Sequence, residues 1–196
     1  MNALVPYVEA SLPVGDLPNF SQVEPWLYRG GRPRQDGLKQ LLFMGIKTIV
    51  NLERGWFESE PDEVKKECEF AVENGIRFEH IPLHPFFGPK SKDIDKILSV
   101  IVNPANHPVF VHCRRGSDRT GIVIAAFRIQ YHAWTVDQAY EEMKRYGHRN
   151  ILFFWWKNIL TQLVPVTQDS ALLLKGMSHG PLLLCNTSVQ QKAITG

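Results

Sequence analysis

Three features are scarce in this sequence: cysteine, net charge and long apolar runs. The 196 residues include three cysteines, which cannot all pair with one another. The formal net charge at pH 7 is +2, so the sequence excludes a strongly polycationic surface and predicts no general nucleic-acid partner. No apolar run approaches the roughly 20 residues of a membrane-spanning helix, and we therefore expect no membrane span.

The chain does have the composition of a water-soluble globular domain. Hydrophobic residues make up 44% and charged residues 21% of it, and its length suits one domain of ordinary size. Residues 1–22 carry prolines without periodicity and are predicted to form an N-terminal arm. Residues 23–163 are predicted to form the domain. Residues 164–196 are rich in Gln, Ser, Thr and Gly, which predicts a tail that packs either on the domain or on a neighbouring subunit.

Apolar periodicity within the domain alternates between the patterns of strands and helices. Short apolar runs predict strands, and apolar residues three or four apart between capping residues predict helices. Strands are predicted near residues 26–29, 46–52, 76–81 and 109–111, and helices at 38–45, 59–75, 91–103, 120 onward, 135–147 and 151–163. This order predicts an α/β fold with a central, mostly parallel, twisted sheet flanked by helices.

The segment Pro108–Gly121 carries the strongest chemical signal. Cys113 follows a short buried strand, and Arg119 stands at the start of an apolar helix. Backbone N–H groups of such a loop converge on one point, and the helix N-terminus adds a positive partial charge. An arginine fork binds two oxygens of a phosphoryl group, and the same field stabilises a thiolate. The segment therefore predicts a nucleophile and an anion-binding loop at one site.

The ten residues from His112 to Gly121 match a His-Cys-x5-Arg-Thr/Ser-Gly signature and resemble the cysteine-dependent, protein-tyrosine-phosphatase-like superfamily, which includes the atypical dual-specificity phosphatases. The resemblance implies the three-layer fold of that superfamily, with the catalytic loop between a strand and a helix N-terminus. It also implies metal-independent hydrolysis of phosphate monoesters through a cysteinyl-phosphate intermediate, with no cofactor. The alternative to an enzyme is an inactive phosphate-binding module. The intact cysteine, arginine and threonine of the signature disfavour it.

The resemblance also assigns roles to individual residues. Cys113 is the expected nucleophile, Arg119 the ligand of the transferred phosphoryl group, and Thr120 the hydroxyl that hydrogen-bonds the cysteine sulfur. The residues expected to form the phosphate-binding loop are His112, Arg114, Arg115, Gly116, Ser117 and Arg119.

The general acid that protonates the leaving oxygen is less clearly marked. Many members of the superfamily carry an aspartate on the loop after the preceding strand, but residues 82–92 contain none. Asp118 occupies the position of an aspartate in the myotubularin and Sac phosphatases and is the favoured acid; a loop-bracing carboxylate paired to an arginine is the alternative. Asp93 is the second candidate, although a helix start explains it equally well, and His84 is the third.

Cationic side chains near the loop favour a substrate with several phosphates, such as an inositol polyphosphate. Arg114 and Arg115 directly follow the nucleophile. Further candidates for substrate contact or for the rim of the site are His84, Lys90, Lys92, Arg29, Arg32 and Arg34. Residues 20–52 also resemble the opening of bacterial and fungal atypical dual-specificity phosphatases and of the protein-tyrosine-phosphatase-like inositol phosphatases (phytases). A protein-tyrosine or dual-specificity phosphatase acting on a phosphoprotein is the alternative.

Two expectations concern assembly and location. The aromatic residues 153–156 in the last predicted helix are interpreted as core, with a homodimer contact as the alternative. Because the nucleophile must remain a free thiol and no signal peptide is visible, we expect a cytoplasmic protein, or an exported one if a signal was removed.

Overall fold

The computed structural model describes residues 15–54, 62–149 and 156–163. Strands and helices alternate along most of these ranges. The strands are β1 (Ser21–Glu24), β2 (Leu27–Gly31), β3 (Thr48–Asn51), β4 (Arg77–His80) and β5 (Val109–Cys113). The helices are α1 (Gln35–Phe43), α2 (Asp62–Glu73), α3 (Ser91–Ile101), α4 (Asp118–His132), α5 (Val136–Arg145) and α6 (Trp156–Leu160), and a single 3-10 turn (Pro104–Asn106) precedes β5.

The predicted elements are confirmed where the structure describes them, with shifts of a few residues at their ends. Helix α4 begins at Asp118 rather than at Thr120. The sequence does not predict β1, and Ser21 and Gln22, which it assigns to the arm, lie in that strand. The predicted helix starts at 59–61 and 150–155 lie outside the described residues, as do most of the arm and the tail.

The sheet has the strand order β1-β2-β5-β3-β4. Strand β1 pairs with β2 in the antiparallel sense, and all other neighbours are parallel. The register places Gly31 of β2 beside Cys113, and Asn51 of β3 beside His112. The carboxyl ends of β2, β5 and β3 therefore meet at one edge of the sheet, and the mostly parallel sheet is as predicted.

Helices cover both faces of the sheet because side chains alternate along each strand. In β5, Val109 and Val111 join the apolar cluster that contains residues of α3, α4, α5 and α6. Phe110, between them, joins the second cluster with residues of α1 and α2. Trp156, predicted to be core, is fully buried in the first cluster. No helix in the described part of the chain is long and apolar enough to cross a membrane.

Candidate active site

Residues 114–117, here called the phosphate loop, join the end of β5 to the start of α4. Cys113 is the last residue of β5, carries a free thiol and is 2% exposed. Arg119 is the second residue of α4 and is 9% exposed. Ligands of parallel sheets bind at the carboxyl ends of the strands, and the N-terminus of α4 adds its partial positive charge at this edge. The predicted nucleophile and the predicted anion ligand thus flank one short loop.

Gly116 gives the phosphate loop its tight turn. Its φ is +73°, in the left-handed region that side chains disfavour. A Cβ atom at this position would lie 2.5 Å from the carbonyl carbon of Gly30 and 2.6 Å from the backbone nitrogen of Gly31. The loop therefore rests directly on the backbone of β2, and only a glycine fits there.

The side chains of Arg119 and Thr120 are held by backbone carbonyls. Arg119 Nη1 donates to the carbonyl oxygen of Leu52 at 3.3 Å and to that of Leu83 at 3.4 Å. The Thr120 hydroxyl is fully buried and donates to the carbonyl of Gly30 at 3.4 Å. Its bond to the cysteine sulfur stays a prediction. Arg119 is thereby fixed between the end of β3 and the loop that follows β4.

Three donors bind the carbonyl oxygens on the outer side of the phosphate loop. The backbone N–H of Arg32 donates to Arg114 O at 3.3 Å. Asn19 Nδ2 donates to Arg115 O at 3.3 Å, and Arg29 Nη2 donates to Gly116 O at 2.8 Å. Asn19 lies just before β1, Arg29 lies in β2, and Arg32 directly follows β2. The loop is therefore bound from outside at three consecutive carbonyls.

Asp118 is buried and surrounded by donors from the segment after α5. Its Oδ1 accepts from His148 Nδ1 at 2.8 Å and from the backbone N–H of Arg149 at 3.1 Å. Its Oδ2 accepts from Arg149 Nη2 at 3.0 Å and from Nε at 3.3 Å. Burial alone would raise the pKa of Asp118, but these hydrogen bonds and the Arg149 charge lower it overall. These contacts support the loop-bracing alternative, and the acid role of Asp118 stays a prediction.

Contacts between charged and polar side chains lead from His112 in β5 to Arg32 at the rim of the site. His112 is fully buried, and its Nε2 lies 2.8 Å from Oε1 of Glu67 in α2. Glu67 accepts from the Asn51 side chain, which in turn accepts from the backbone N–H of Glu53. Glu53 binds the Arg32 guanidinium through two bonds of 2.8 and 2.6 Å. His112 is thus joined to α2 through Glu67, and its predicted role in the phosphate loop stays a prediction.

Glu53 is 2% exposed and belongs to the electrostatics of the site. Burial would raise the pKa of its carboxyl, but the paired bonds from Arg32 and the charges of Arg32, His112 and Arg119 lower it overall. Glu53 is therefore a negative charge at neutral pH, placed close enough to Arg119 to interact with it.

Comparison with known proteins identifies the family to which a chain with this site belongs. The model of the tyrosine phosphatase family matches residues 16–155, more than half of the chain. The chain belongs to the tyrosine phosphatase family. The predicted superfamily and fold are thereby confirmed.

Three relatives show how far the likeness extends. Inositol diphosphatase DSP2 of Oryza sativa subsp. japonica is 30% identical over 154 residues, which cover 74% of this chain and 70% of that protein. Inositol diphosphatase SIW14 of Saccharomyces cerevisiae is 31% identical over 135 residues, covering 66% of this chain and 45% of that protein. The crystal structure of the SIW14 core catalytic domain matches with a TM-score of 0.63 and 25% identity, over 74% of this chain and 85% of that one. The chain thus spans less than half the length of the yeast relative.

The other residues predicted to act at the site differ in exposure and in their contacts. Arg114, Arg115, Lys90 and Lys92 are exposed. Asp93 accepts from the backbone N–H of Lys90 at 3.1 Å and so caps the start of α3, as the alternative explanation requires.

His84 is partly exposed in the loop that follows β4. Its Nδ1 lies 3.1 and 3.2 Å from the backbone nitrogens of Phe86 and Phe87 and accepts from them. Burial and the charges of Arg54 and Arg119 lower the pKa of this imidazole. His84 is therefore a neutral ring that organises its own loop.

The sequence did not indicate the residues that support the site. Asn19 binds the phosphate loop, His148 and Arg149 bind Asp118, and Glu53 and Glu67 pair with Arg32 and His112. Sequence reasoning also placed Arg29 at the rim, which is wrong, because this side chain is 1% exposed and donates to the carbonyl of Gly116. One pattern in the sequence does indicate that Arg29 is buried. Arg29 stands two residues after the apolar Leu27 in β2, so both side chains face the same side of the sheet. Arg32 reaches the rim but is paired there with Glu53 and Glu63. The other residues carried no pattern that spacing alone could find.

Proposed function

We propose that this protein hydrolyses phosphoryl groups in two steps through Cys113. The thiolate attacks phosphorus, the bond from phosphorus to the leaving oxygen breaks, and that oxygen departs with the electron pair. Water then attacks the thiophosphoryl group, the P–S bond breaks, and phosphate and the thiolate are released. The observation that carries the proposal is the loop itself, with a buried cysteine at its start and a helix N-terminus with a fixed arginine at its end.

The transition state is stabilised by donors that are already in place. Phosphoryl transfer spreads charge over three equatorial oxygens, so fixed donors contribute most where these oxygens lie. Arg119 uses only Nη1 in its hydrogen bonds to described residues. Its Nη2 and Nε remain for a paired contact with two phosphoryl oxygens.

We propose that the substrate is an inositol polyphosphate and that the bond cleaved is that of a diphosphate group. The rice and yeast relatives are named inositol diphosphatases, and the yeast structure is named as that of a PP-IP phosphatase. The exposed cations Arg114, Arg115, Lys90 and Lys92 suit a ligand that carries several phosphates beyond the one that reacts.

The state of the candidate acids supports a diphosphate over a simple ester. An inositol hydroxyl leaves as an alkoxide and needs a proton, whereas a phosphate leaving group has a second pKa of about 6 and departs without one at neutral pH. Asp118 is held ionised, Asp93 caps α3, and the pKa of His84 is lowered. A reaction with a good leaving group is the one that this set of residues serves best.

Steady-state kinetics on three substrates test the proposal: a diphosphoinositol polyphosphate, inositol hexakisphosphate and a phosphotyrosine peptide. We expect the highest kcat/KM for the diphosphate, and no turnover by Cys113→Ser with any of them. Faster turnover of the peptide would instead assign a protein phosphatase. Turnover retained by Cys113→Ser would overturn the cysteine mechanism.

The exposed arginines are tested separately from the chemistry. Arg114→Gln and Arg115→Gln should raise KM for the diphosphoinositol substrate, and the effect should shrink at high ionic strength. The same changes should leave turnover of a small monophosphate nearly intact. Arg145→Gln, an exposed residue at the end of α5, is the matched control, and an equal effect there would remove the role of the loop arginines.

A further inference from the structure

The three bonds on the outer side of the phosphate loop have a geometric consequence for its inner side. The peptide bonds of the loop are trans, since His107–Pro108 is the cis bond of the described chain. In a trans peptide, the carbonyl of one residue and the N–H of the next point in opposite directions. Donors that hold the carbonyls of Arg114, Arg115 and Gly116 outward therefore turn the N–H groups of residues 115, 116 and 117 inward.

We propose that Asn19 and Arg29 are positioning residues that aim the loop N–H groups at the bound phosphoryl group. Asn19, through Arg115 O, orients the N–H of Gly116; Arg29, through Gly116 O, orients the N–H of Ser117. This inference deepens the proposed function and rests on it, because both concern the same loop. Arg32 contributes the third bond through its backbone N–H, which every substitution except proline keeps.

The backbone conformation of Asn19 and a second hydrogen bond of its amide hold the side chain in position for this contact. Its φ is +55°, a left-handed conformation that asparagine adopts more readily than most residues. Its amide also donates to the carbonyl of Tyr146 at 2.9 Å. One side chain thus ties the segment before β1 to both the phosphate loop and the end of α5.

Arg29 is fixed on the same side by Tyr146. Its guanidinium carbon lies 3.7 Å from the centroid of the Tyr146 ring, within the range of a cation–π contact. The Tyr146 hydroxyl donates to Ser21 Oγ at 2.7 Å, which anchors the ring on β1. With its guanidinium held against the ring, Arg29 keeps Nη2 on the Gly116 carbonyl, and this leaves that peptide a single orientation.

Matched variants distinguish an effect on the orientation of the loop N–H groups from an effect on the stability of the fold. Asn19→Gly removes the amide donor but keeps a residue that adopts a left-handed φ without strain. Arg29→Lys keeps a positive charge but loses the rigid fork. Asn74→Gly is the control, because Asn74 Nδ2 makes a comparable bond to the Phe70 carbonyl at 2.8 Å, at the exposed end of α2.

The first readout is the affinity of each variant for inorganic phosphate in a Cys113→Ser background, measured by calorimetry, with the amide shifts of residues 115–117 followed by NMR. The second is kcat and KM for p-nitrophenyl phosphate with Cys113 present. The third is the urea midpoint. Phosphate binding requires no turnover, so a wild-type protein without activity would refute the proposed function and leave this measurement interpretable.

Poorly oriented N–H donors should weaken stabilisation of the transition state more than they weaken binding of phosphate in the ground state. We expect Asn19→Gly and Arg29→Lys to weaken phosphate binding by about fivefold and to lower kcat by about 10- to 100-fold, less than the loss of a whole oxyanion donor. The amide shift of Ser117 on phosphate addition should shrink in Arg29→Lys, and that of Gly116 in Asn19→Gly. Phosphate affinity and kcat within about twofold of wild type, in variants folded under the assay conditions, would overturn the inference.

Discussion

The replacement Asp118→Asn distinguishes a bracing carboxylate from a catalytic acid. Asparagine keeps one oxygen for His148 and the Arg149 backbone, but it presents an NH2 group to the Arg149 guanidinium. Hydrogen bonds to charged groups contribute about 1.5–3 kcal/mol each, and the Arg149 side chain is 41% exposed, so solvent reduces its share to about 1 kcal/mol. Loss of the carboxylate charge also weakens the two bonds that remain, by roughly 1–2 kcal/mol in total. We therefore expect a loss of about 2–3 kcal/mol in the free energy of unfolding, or roughly 5–10 °C in Tm for a chain of this size.

The kinetic outcome of Asp118→Asn follows from the same contacts. If Asp118 braces the start of α4, kcat/KM should fall by about tenfold at every pH and by the same factor for substrates with good and poor leaving groups. Arg149→Gln, which removes the guanidinium partner but leaves the Asp118 carboxyl in place, should reproduce this fall. The assay is a pH–rate profile with aryl and alkyl phosphates for wild type and both variants.

A catalytic acid would behave differently. Loss of the acid should flatten the alkaline limb and cost about 10²- to 10⁴-fold, most of it for poor leaving groups. Arg149→Gln keeps the carboxyl and removes a charge that lowers its pKa, so it should then move the alkaline limb to higher pH without flattening it. That pair of results would refute the bracing argument.

Three other predictions concern stability and the loop. In wild type, the stabilisation from the low pKa of Asp118 should be complete at pH values above 3.8, the ordinary pKa of an aspartate, and should be lost as the pH falls through the folded-state pKa. The urea midpoints of wild type and Asp118→Asn should therefore converge in acid. Midpoints that run parallel across this pH range would contradict the prediction. Glu53→Gln should likewise remove the stabilisation that wild type loses as the pH falls below 4.5, measured in the same titration. Gly116→Ala should lower kcat/KM by more than about 100-fold, because its Cβ would overlap the backbone of β2; near-normal phosphate affinity in this variant would show that the loop can shift.

The fold could be predicted because its signals are local. Short apolar runs mark β3 and β5, and the spacing of Ile94, Ile97 and Leu98 marks α3, all of which the structure buries. The placement of Cys113 and Arg119 could be predicted because one continuous segment contains both and the strand and helix beside them. β1 escaped because its short polar segment, Ser21–Glu24, has a strand conformation that depends on its pairing with β2.

The supporting residues could not be predicted because their partners are distant in sequence. Nothing near Asp118 indicates His148 or Arg149, since the turn after α5 brings them together only in the folded chain. The buried position of Arg29 contradicts the ordinary expectation that arginine is exposed. It is compensated by a carbonyl and an aromatic ring that belong to other elements.

The long separations of these contacts also determine when the site can form during folding. Asn19 and Arg115 are 96 residues apart, Arg29 and Gly116 are 87 apart, and Asn19 and Tyr146 are 127 apart. Contacts of this range form only after large loops have closed, so partly folded chains lack the assembled anion site. If the loop binds phosphate as proposed, we expect an oxyanion to bind the complete native state selectively and to shift the folding equilibrium toward it by mass action. Phosphate, the product of the proposed reaction, should then also stabilise the enzyme that releases it.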